Sequence, residues 1–189
     1  MALADWIFKT VESGDDVVAE LCDDIAVEGN KSLCFPDRSI DPVIFVHNQT
    51  LNDKPVSGAI KTFFYLKETH SYAFGGVFKY KSPDTFVLIY LDAGGEYSVG
   101  TWYSAWVEDH LSISFEAGKW YILETILDDE NNETALRIKD ASENVILERV
   151  EDNIIPNDWR GVGGGIGIFF DGASYADKVR FDLTKIYYP

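Results

Sequence analysis

Short apolar and aromatic runs recur along the whole chain, and no stretch of a dozen residues keeps a helical period. Clusters of Gly, Pro, Asn and Asp separate the runs, as at Lys81–Asp84, Asp92–Gly95 and Asp128–Asn132. Such a pattern is typical of short strands joined by tight turns. We therefore predict an all-β protein.

One flat sheet does not accommodate this many strands, and a sandwich or barrel is therefore expected. We predict a two-sheet antiparallel β-sandwich in which residues 1–189 form one domain, with a short helical turn at Ile155–Trp159. The predicted strands are Val17–Leu21, Ser32–Phe35, Val43–His47, Ala59–Lys67, Ala73–Tyr80, Phe86–Asp92, Tyr97–Val107, His110–Phe115, Trp120–Asp128, Thr134–Asp140, Val145–Val150, Gly165–Phe170 and Lys178–Tyr188.

The formal net charge of −16 restricts the partners of the chain. It disfavours nucleic acid and anionic membrane surfaces, because both would be repelled. It is compatible with neutral or cationic ligands, with divalent cations, or with an acidic surface that only serves solubility. No apolar run approaches the roughly 18 residues that a membrane helix needs, so no membrane insertion is expected.

Cys22 and Cys34 are the only cysteines, and they flank a predicted turn. Two neighbouring segments could bring them together as one disulfide, which suits an oxidising compartment. Two buried free thiols are the alternative.

Four passages, taken in order, resemble the concanavalin A-like (laminin-G-like) jelly-roll family. Residues 75–92, read from Gly75 to Asp92, are similar to its "G-hydrophobic-hydrophobic-F-R-Y" strand and the strand that follows a "P-D-N" turn. Residues 29–33 resemble its "G-x-x-S-L" start, and residues 118–121 its "G-x-W-Y" strand. Residues 165–168 with 175–179 resemble its closing "G-x-x-G…F-D-D-V" pair.

The resemblance implies a jelly-roll sandwich, an architecture that hosts lectin-like modules, glycoside hydrolases, polysaccharide lyases and adhesion domains. The E-x-D-x-x-E arrangement of similar glycosidases does not occur in this sequence. Our leading hypothesis is a non-catalytic module that binds a polysaccharide or oligosaccharide, located outside the cell or on its surface as the resemblance implies. The alternatives are a hydrolase or lyase of the same fold, and an adhesion domain that binds protein.

A saccharide site needs an aromatic platform for the C–H face of the sugar ring and polar groups around it. Alternation along the strands places Ser98, Gly100, Trp102, Ser104 and Trp106 on one face, and Phe86, Leu88 and Tyr90 outward. We expect one concave sheet to carry the platform, with a polar rim that also includes Glu108. The predicted ligand-binding residues are Phe63, Tyr65, Lys79, Tyr90, Asp92, Trp102 and Trp106.

The resemblance also implies a structural Ca²⁺ ion near the two ends of the chain. Calcium takes about six to eight oxygen ligands, from carboxylates and backbone carbonyls. Asp177 matches the second Asp of "F-D-D-V", whereas Ala176 replaces the first. The expected ligands are Glu12, Glu28, the Lys31 carbonyl and Asp177.

Overall fold

The computed structural model describes residues 2–36, 42–172 and 175–189. The described chain forms fourteen strands and one short helix, with single 3₁₀ turns at Leu3–Asp5 and Ala176–Lys178. In chain order these are β1 (Trp6–Thr10), β2 (Glu20–Cys22), β3 (Ser32–Cys34), β4 (Val43–His47), α1 (Asn48–Asp53), β5 (Gly58–Leu66), β6 (Ala73–Ser82), β7 (Thr85–Asp92), β8 (Glu96–Thr101), β9 (Ser104–His110), β10 (Trp120–Asp128), β11 (Glu133–Asp140), β12 (Val145–Asp152), β13 (Gly165–Asp171) and β14 (Val179–Tyr187).

The strands form two antiparallel sheets of seven strands each. Sheet A has the order β1-β4-β13-β6-β7-β8-β9, and sheet B has the order β12-β11-β10-β5-β14-β3-β2. Neighbours in space are often distant in sequence, as where β13 inserts between β4 and β6. The sandwich predicted from the sequence is confirmed.

The main core lies between the sheets, and strand alternation accounts for it. In β5, Ile60, Phe64 and Leu66 are buried, whereas Phe63 and Tyr65 between them are half-buried on the outer side. Fully burying such side chains stabilises the fold by about 1.5–3 kcal/mol each. Stacked and edge-on phenylalanines join the sheets at the centre of this core, among them Phe35, Phe45, Phe64, Phe74, Phe170 and Phe181.

A second apolar cluster lies on the outer face of sheet A. It contains Val11, Ile44, Val46, Val77, Tyr80, Phe86, Leu88 and Phe169. The turn after β1 extends across it, and the backbone N–H of Glu12 donates to the Pro83 carbonyl in the β6–β7 turn. The outward direction predicted for Phe86 and Leu88 is correct, but this cover buries both side chains.

Strand boundaries are predicted best where turn residues mark both ends. Val43–His47 and Trp120–Asp128 are observed with the predicted bounds. The single strand predicted at Tyr97–Val107 is wrong, because the chain reverses at Trp102 and Tyr103 without a Gly or Asn to signal the turn. The strand predicted at His110–Phe115 is also wrong, since β9 ends at His110 and residues 111–116 are irregular.

The sequence left open a disulfide or two free thiols, and the structure contains the disulfide. Cys22 in β2 and Cys34 in β3 are bonded, and the two strands pair at the edge of sheet B. No helix within the described ranges is long and apolar enough to cross a bilayer.

Candidate functional site

A pocket of about 220 Å³ opens on the outer face of sheet A, over β7, β8 and β9. Its walls combine aromatic rings with hydroxyl groups and one carboxylate. The lining residues are Leu88, Tyr90, Ser98, Thr101, Trp102, Tyr103, Ser104, Ala105 and Glu108.

The β8–β9 hairpin supplies most of the wall. Thr101 pairs with Ser104, so Trp102 and Tyr103 form a two-residue turn at the end of the hairpin. The Tyr103 side chain is 68% exposed, whereas Trp102 is partly buried and packs 5.9 Å from Phe169, centroid to centroid. The turn therefore presents one fixed ring and one accessible ring at the same pocket.

Phe169 joins the two fixed rings of the pocket. It lies 5.8 Å from Tyr90 as well as 5.9 Å from Trp102. In the strand register Phe169 faces Gly75, and Gly75 faces Tyr90. A Cβ atom on Gly75 would lie 2.6 Å from the Tyr90 Cβ, so the glycine allows the rings to meet across β6.

The turn after β1 holds the indole of Trp102. Its Nε1–H donates a 2.7 Å hydrogen bond to Glu12 Oε1. Because Glu12 is itself bonded to the Pro83 carbonyl, two separate turns of the chain fix the ring. An aromatic ring held in this way loses little conformational entropy when a ligand packs against it.

Carboxylates surround the hydroxyl of Tyr90. Its Oη donates to Glu96 Oε1 at 3.4 Å. Burial, followed by the negative charges of Glu96, Asp92 and Glu108, raises the pKa of Tyr90 to about 12. The hydroxyl therefore stays protonated at neutral pH and can donate a hydrogen bond.

The floor of the pocket carries a polar group without a protein partner. Ser98 is 6% exposed, and its hydroxyl forms no hydrogen bond to any residue that the structure describes. Glu108 pairs with Ser98 across the β8–β9 ladder, so both side chains point to the pocket side. A hydroxyl that opens into a pocket next to a carboxylate can bind a ligand that brings its own hydrogen-bond donors.

Trp106 does not share the face of Trp102, contrary to the prediction. The ladder between β8 and β9 shifts between Val99 and Gly100, because Val99 pairs with Val107 and Gly100 with Ala105. The extra residue at this bulge is Trp106, which packs on the main core and lies 6.4 Å from Trp159. A bulge changes the parity of a strand, and strict alternation does not reveal it.

The prediction that all five aromatic residues line one sheet is wrong. Phe63 and Tyr65 belong to β5 of sheet B, where Tyr65 contacts Trp120 at 5.3 Å. Both face outward as alternation indicates, but on the opposite side of the sandwich. Alternation assigns a residue to a face of its own strand and says nothing about the sheet that the strand joins.

Of the three polar residues predicted for the rim, Glu108 lines the pocket, whereas Lys79 and Asp92 do not. Lys79 is 1% exposed and forms an ion pair with Asp129, because a β-bulge with φ of 54° turns its side chain inward. Asp92 ends β7, and its Oδ1 accepts the backbone N–H of Glu96, the first residue of β8. Asp92 therefore orders the turn before Glu96, and Glu96 is the residue to which the Tyr90 hydroxyl donates.

The predicted calcium ligands do not fit a metal ion. Glu12 points toward Trp102 on sheet A, whereas the backbone N–H of Glu28 donates to Asp182 on sheet B. Nowhere in residues 2–36, 42–172 or 175–189 do three or more His, Cys, Asp or Glu side chains form a group able to hold a metal. Hydrogen bonding to other parts of the chain thus separates the expected ligands.

A larger cavity of about 590 Å³ lies at one end of the sandwich, and two of its three tyrosine and tryptophan rings make contacts within the chain, whereas Tyr187 is 54% exposed. Trp6 is 8% exposed and packs on Phe45 and His47. The hydroxyl of Tyr188 donates to Asp53. These contacts fasten the two ends of the described chain, so the pocket on sheet A is the better candidate.

Three solved structures are similar to the chain over nearly its whole length. The exoplasmic/lumenal domain of VIP36, in a Ca²⁺/Man3GlcNAc-bound form, has a TM-score of 0.60 at 10% identity, with 100% of this chain and 85% of that chain covered. The carbohydrate-binding module CBM66 from Bacillus subtilis has 0.56 at 12%, covering 96% and 94%. Lectin II from Ulex europaeus has 0.55 at 7%, covering 96% and 97%.

The two sheets and these likenesses define the class of the protein: it has the concanavalin A-like jelly-roll fold found in lectins and carbohydrate-binding modules. At these identities the likeness concerns the fold alone. No protein-family model matches the sequence, and no curated protein does. The particular function must therefore be argued from the pocket.

Proposed function

We propose that the protein is a non-catalytic carbohydrate-binding module that recognises a saccharide in the pocket on the outer face of sheet A. The observation that carries the proposal is the pairing of Trp102 and Tyr103 at the pocket wall with the unpartnered hydroxyl of Ser98 at its floor. A sugar ring has an apolar C–H face and a polar edge, and such a pocket offers a counterpart for each.

The size of the pocket favours a single ring over an enclosed chain. At about 220 Å³ it is smaller than the roughly 300–1,000 Å³ of typical small-molecule sites. One sugar unit would enter it, and the rest of a polysaccharide or oligosaccharide would extend along the sheet. The structural likeness to a carbohydrate-binding module and to a lectin supports this class of ligand.

The disulfide supports a location outside the cell or on its surface. Disulfides form and persist in oxidising compartments, and Cys22 and Cys34 are bonded at a sheet edge. A protein outside the cell or on its surface is also accessible to polymeric saccharides.

Affinity electrophoresis and titration calorimetry against a panel of soluble polysaccharides would test the proposal. We expect one glycan to bind the wild type, and expect Trp102→Ala and Tyr103→Ala to weaken that binding about tenfold, since tenfold corresponds to about 1.4 kcal/mol. Tyr187→Ala is the matched control, because Tyr187 is 54% exposed but lies on sheet B.

The outcomes separate the three functional classes. Binding that depends on Trp102 and Tyr103 but not on Tyr187 supports the module. Release of reducing ends or of unsaturated products during incubation would replace it with an enzyme. If no glycan binds, the proposal is overturned in favour of a domain that binds protein.

A further inference from the structure

We propose that the pocket selects a sugar that carries a free ammonium group, an amino sugar, over neutral and anionic sugars. This inference rests on the proposed function and concerns the same pocket. It is argued from the charge of the pocket walls, from the three aromatic rings and from the absence of a compensating cation among the described residues.

The pocket walls carry negative charge only. Glu108 is the charged residue among the lining side chains that the structure describes, and no Lys, Arg or His is among them. Glu96 and Asp92 lie behind Tyr90, and Glu12 lies behind Trp102. A uronate or sulfated sugar would bring a second negative charge into this field, whereas an ammonium group would be attracted.

The carboxylate of Glu108 has no cation to neutralise it among the described residues. Arg149 of β12, which reaches the adjacent residue Asp109 at 3.1 Å, also pairs with Glu151 at 2.6 Å. Glu108 itself forms no ion pair within the described ranges. An ammonium ligand would therefore complete a pair that the protein leaves open.

Three aromatic rings strengthen the preference. Tyr90, Trp102 and Tyr103 all line the pocket. An ammonium group within about 6 Å of an aromatic face is attracted by the ring quadrupole, and indole is the strongest of the common rings. The raised pKa of Tyr90 is consistent with the negative field, since Glu96, Asp92 and Glu108 contribute to it after burial.

The hydroxyl of Ser98 favours a sugar over a simple organic cation. Its hydroxyl lies at the floor, on a residue that is 6% exposed, and a quaternary ammonium ion offers it no hydrogen bond. An amino sugar supplies hydroxyl groups for Ser98 and an ammonium group for Glu108 at the same time.

The test compares probes that carry a positive, a neutral or a negative group on a sugar, and one cation without a sugar. Titration calorimetry at pH 6 and low salt would compare an oligomer of glucosamine, its N-acetylated counterpart, a uronate oligomer and choline. We expect the free-amine oligomer to bind at least tenfold more tightly than the N-acetylated one, and the advantage to shrink as salt is added. We expect the uronate and choline to bind weakly.

Two variants assign the preference to the pocket. Glu108→Gln should reduce the advantage of the free amine over the N-acetylated oligomer to below threefold. Asp152→Asn removes one exposed carboxylate from β12 on sheet B and should leave the advantage unchanged.

The failure of this inference is distinguishable from failure of the proposed function. If a neutral or anionic sugar binds equally well or better in a manner that needs Trp102, the amino-sugar inference is overturned and the module stands. If the advantage persists in Glu108→Gln, or choline binds as tightly as the oligomer, the inference is also overturned. If no saccharide binds, the amino-sugar inference and the proposed function are both overturned.

Discussion

Lys79 Nζ lies 2.5 Å from Asp129 Oδ1 in the interior of the sandwich, and the Lys79 side chain has no exposed area. The pair joins β6 of sheet A to the turn that follows β10 of sheet B. Asp129 also accepts the backbone N–H of Gly161, and Lys79 also donates to the Val162 carbonyl. Burial lowers the pKa of Lys79, and pairing with Asp129 opposes that shift.

We predict that removing either charge alone strongly destabilises the fold. Lys79→Met leaves the Asp129 carboxylate buried without its cation, and breaking such a pair costs about 3–5 kcal/mol. Urea unfolding of the variant checks this value. Lys119→Ala, which breaks an exposed pair with Glu116, is the control and should cost far less, because solvent screens the pair. Equal effects of the two variants would contradict a structural role for the buried pair.

Reduction of the disulfide is expected to lower stability and to spare the pocket. Cys22 and Cys34 are 12 residues apart, and closing a loop of that order stabilises a fold by about 3 kcal/mol. Thermal unfolding with and without reductant measures the loss, and Cys22→Ser/Cys34→Ser should behave like the reduced protein. Because both residues lie on sheet B, saccharide binding should persist below the melting point. Free thiols in the untreated protein would refute the bond.

Acid should remove the stabilisation contributed by Asp24. Hydrogen bonds from Arg180, followed by those from Lys67, hold the pKa of Asp24 well below its usual value of 3.8. A lowered folded-state pKa contributes stability that is complete above the unfolded value and is lost as the pH falls toward the folded one. The difference in unfolding free energy between wild type and Asp24→Asn should therefore be constant above about pH 5 and shrink below about pH 4. A difference independent of pH would argue against this ion pair.

Gly75→Ala should impair both stability and binding. The new Cβ would lie 2.4 Å from the Ile89 carbonyl oxygen and 2.6 Å from the Tyr90 Cβ, so β7 would have to move. Overpacking of this kind costs about 1–3 kcal/mol, and it would separate Tyr90 from Phe169. Unfolding curves and saccharide titration together check the prediction. Unchanged binding in Gly75→Ala would show that the ring contact is dispensable.

Much of the fold could be predicted because local pattern and tertiary environment agree there. Val43–His47 and Trp120–Asp128 are apolar runs flanked by residues typical of turns, such as Pro42, Asn48 and Asp129, and the sequence predicts both with their observed bounds. The hairpin at Trp102 and Tyr103 was missed because its turn contains large aromatic residues in place of Gly or Asn. Tyr103, the most exposed aromatic of the pocket, was missed with it.

The sequence by itself determined the class of the fold and the outward direction of Tyr90, Phe63 and Tyr65, because the two-residue period of a strand is a local property. Only the tertiary structure decided which of these rings meet. The order of strands puts Phe63 and Tyr65 on sheet B, and two bulges turn Lys79 and Trp106 inward. Strand order and bulges depend on contacts between residues far apart in the chain, such as Glu12 with Trp102, and such contacts leave no periodic signal in the sequence.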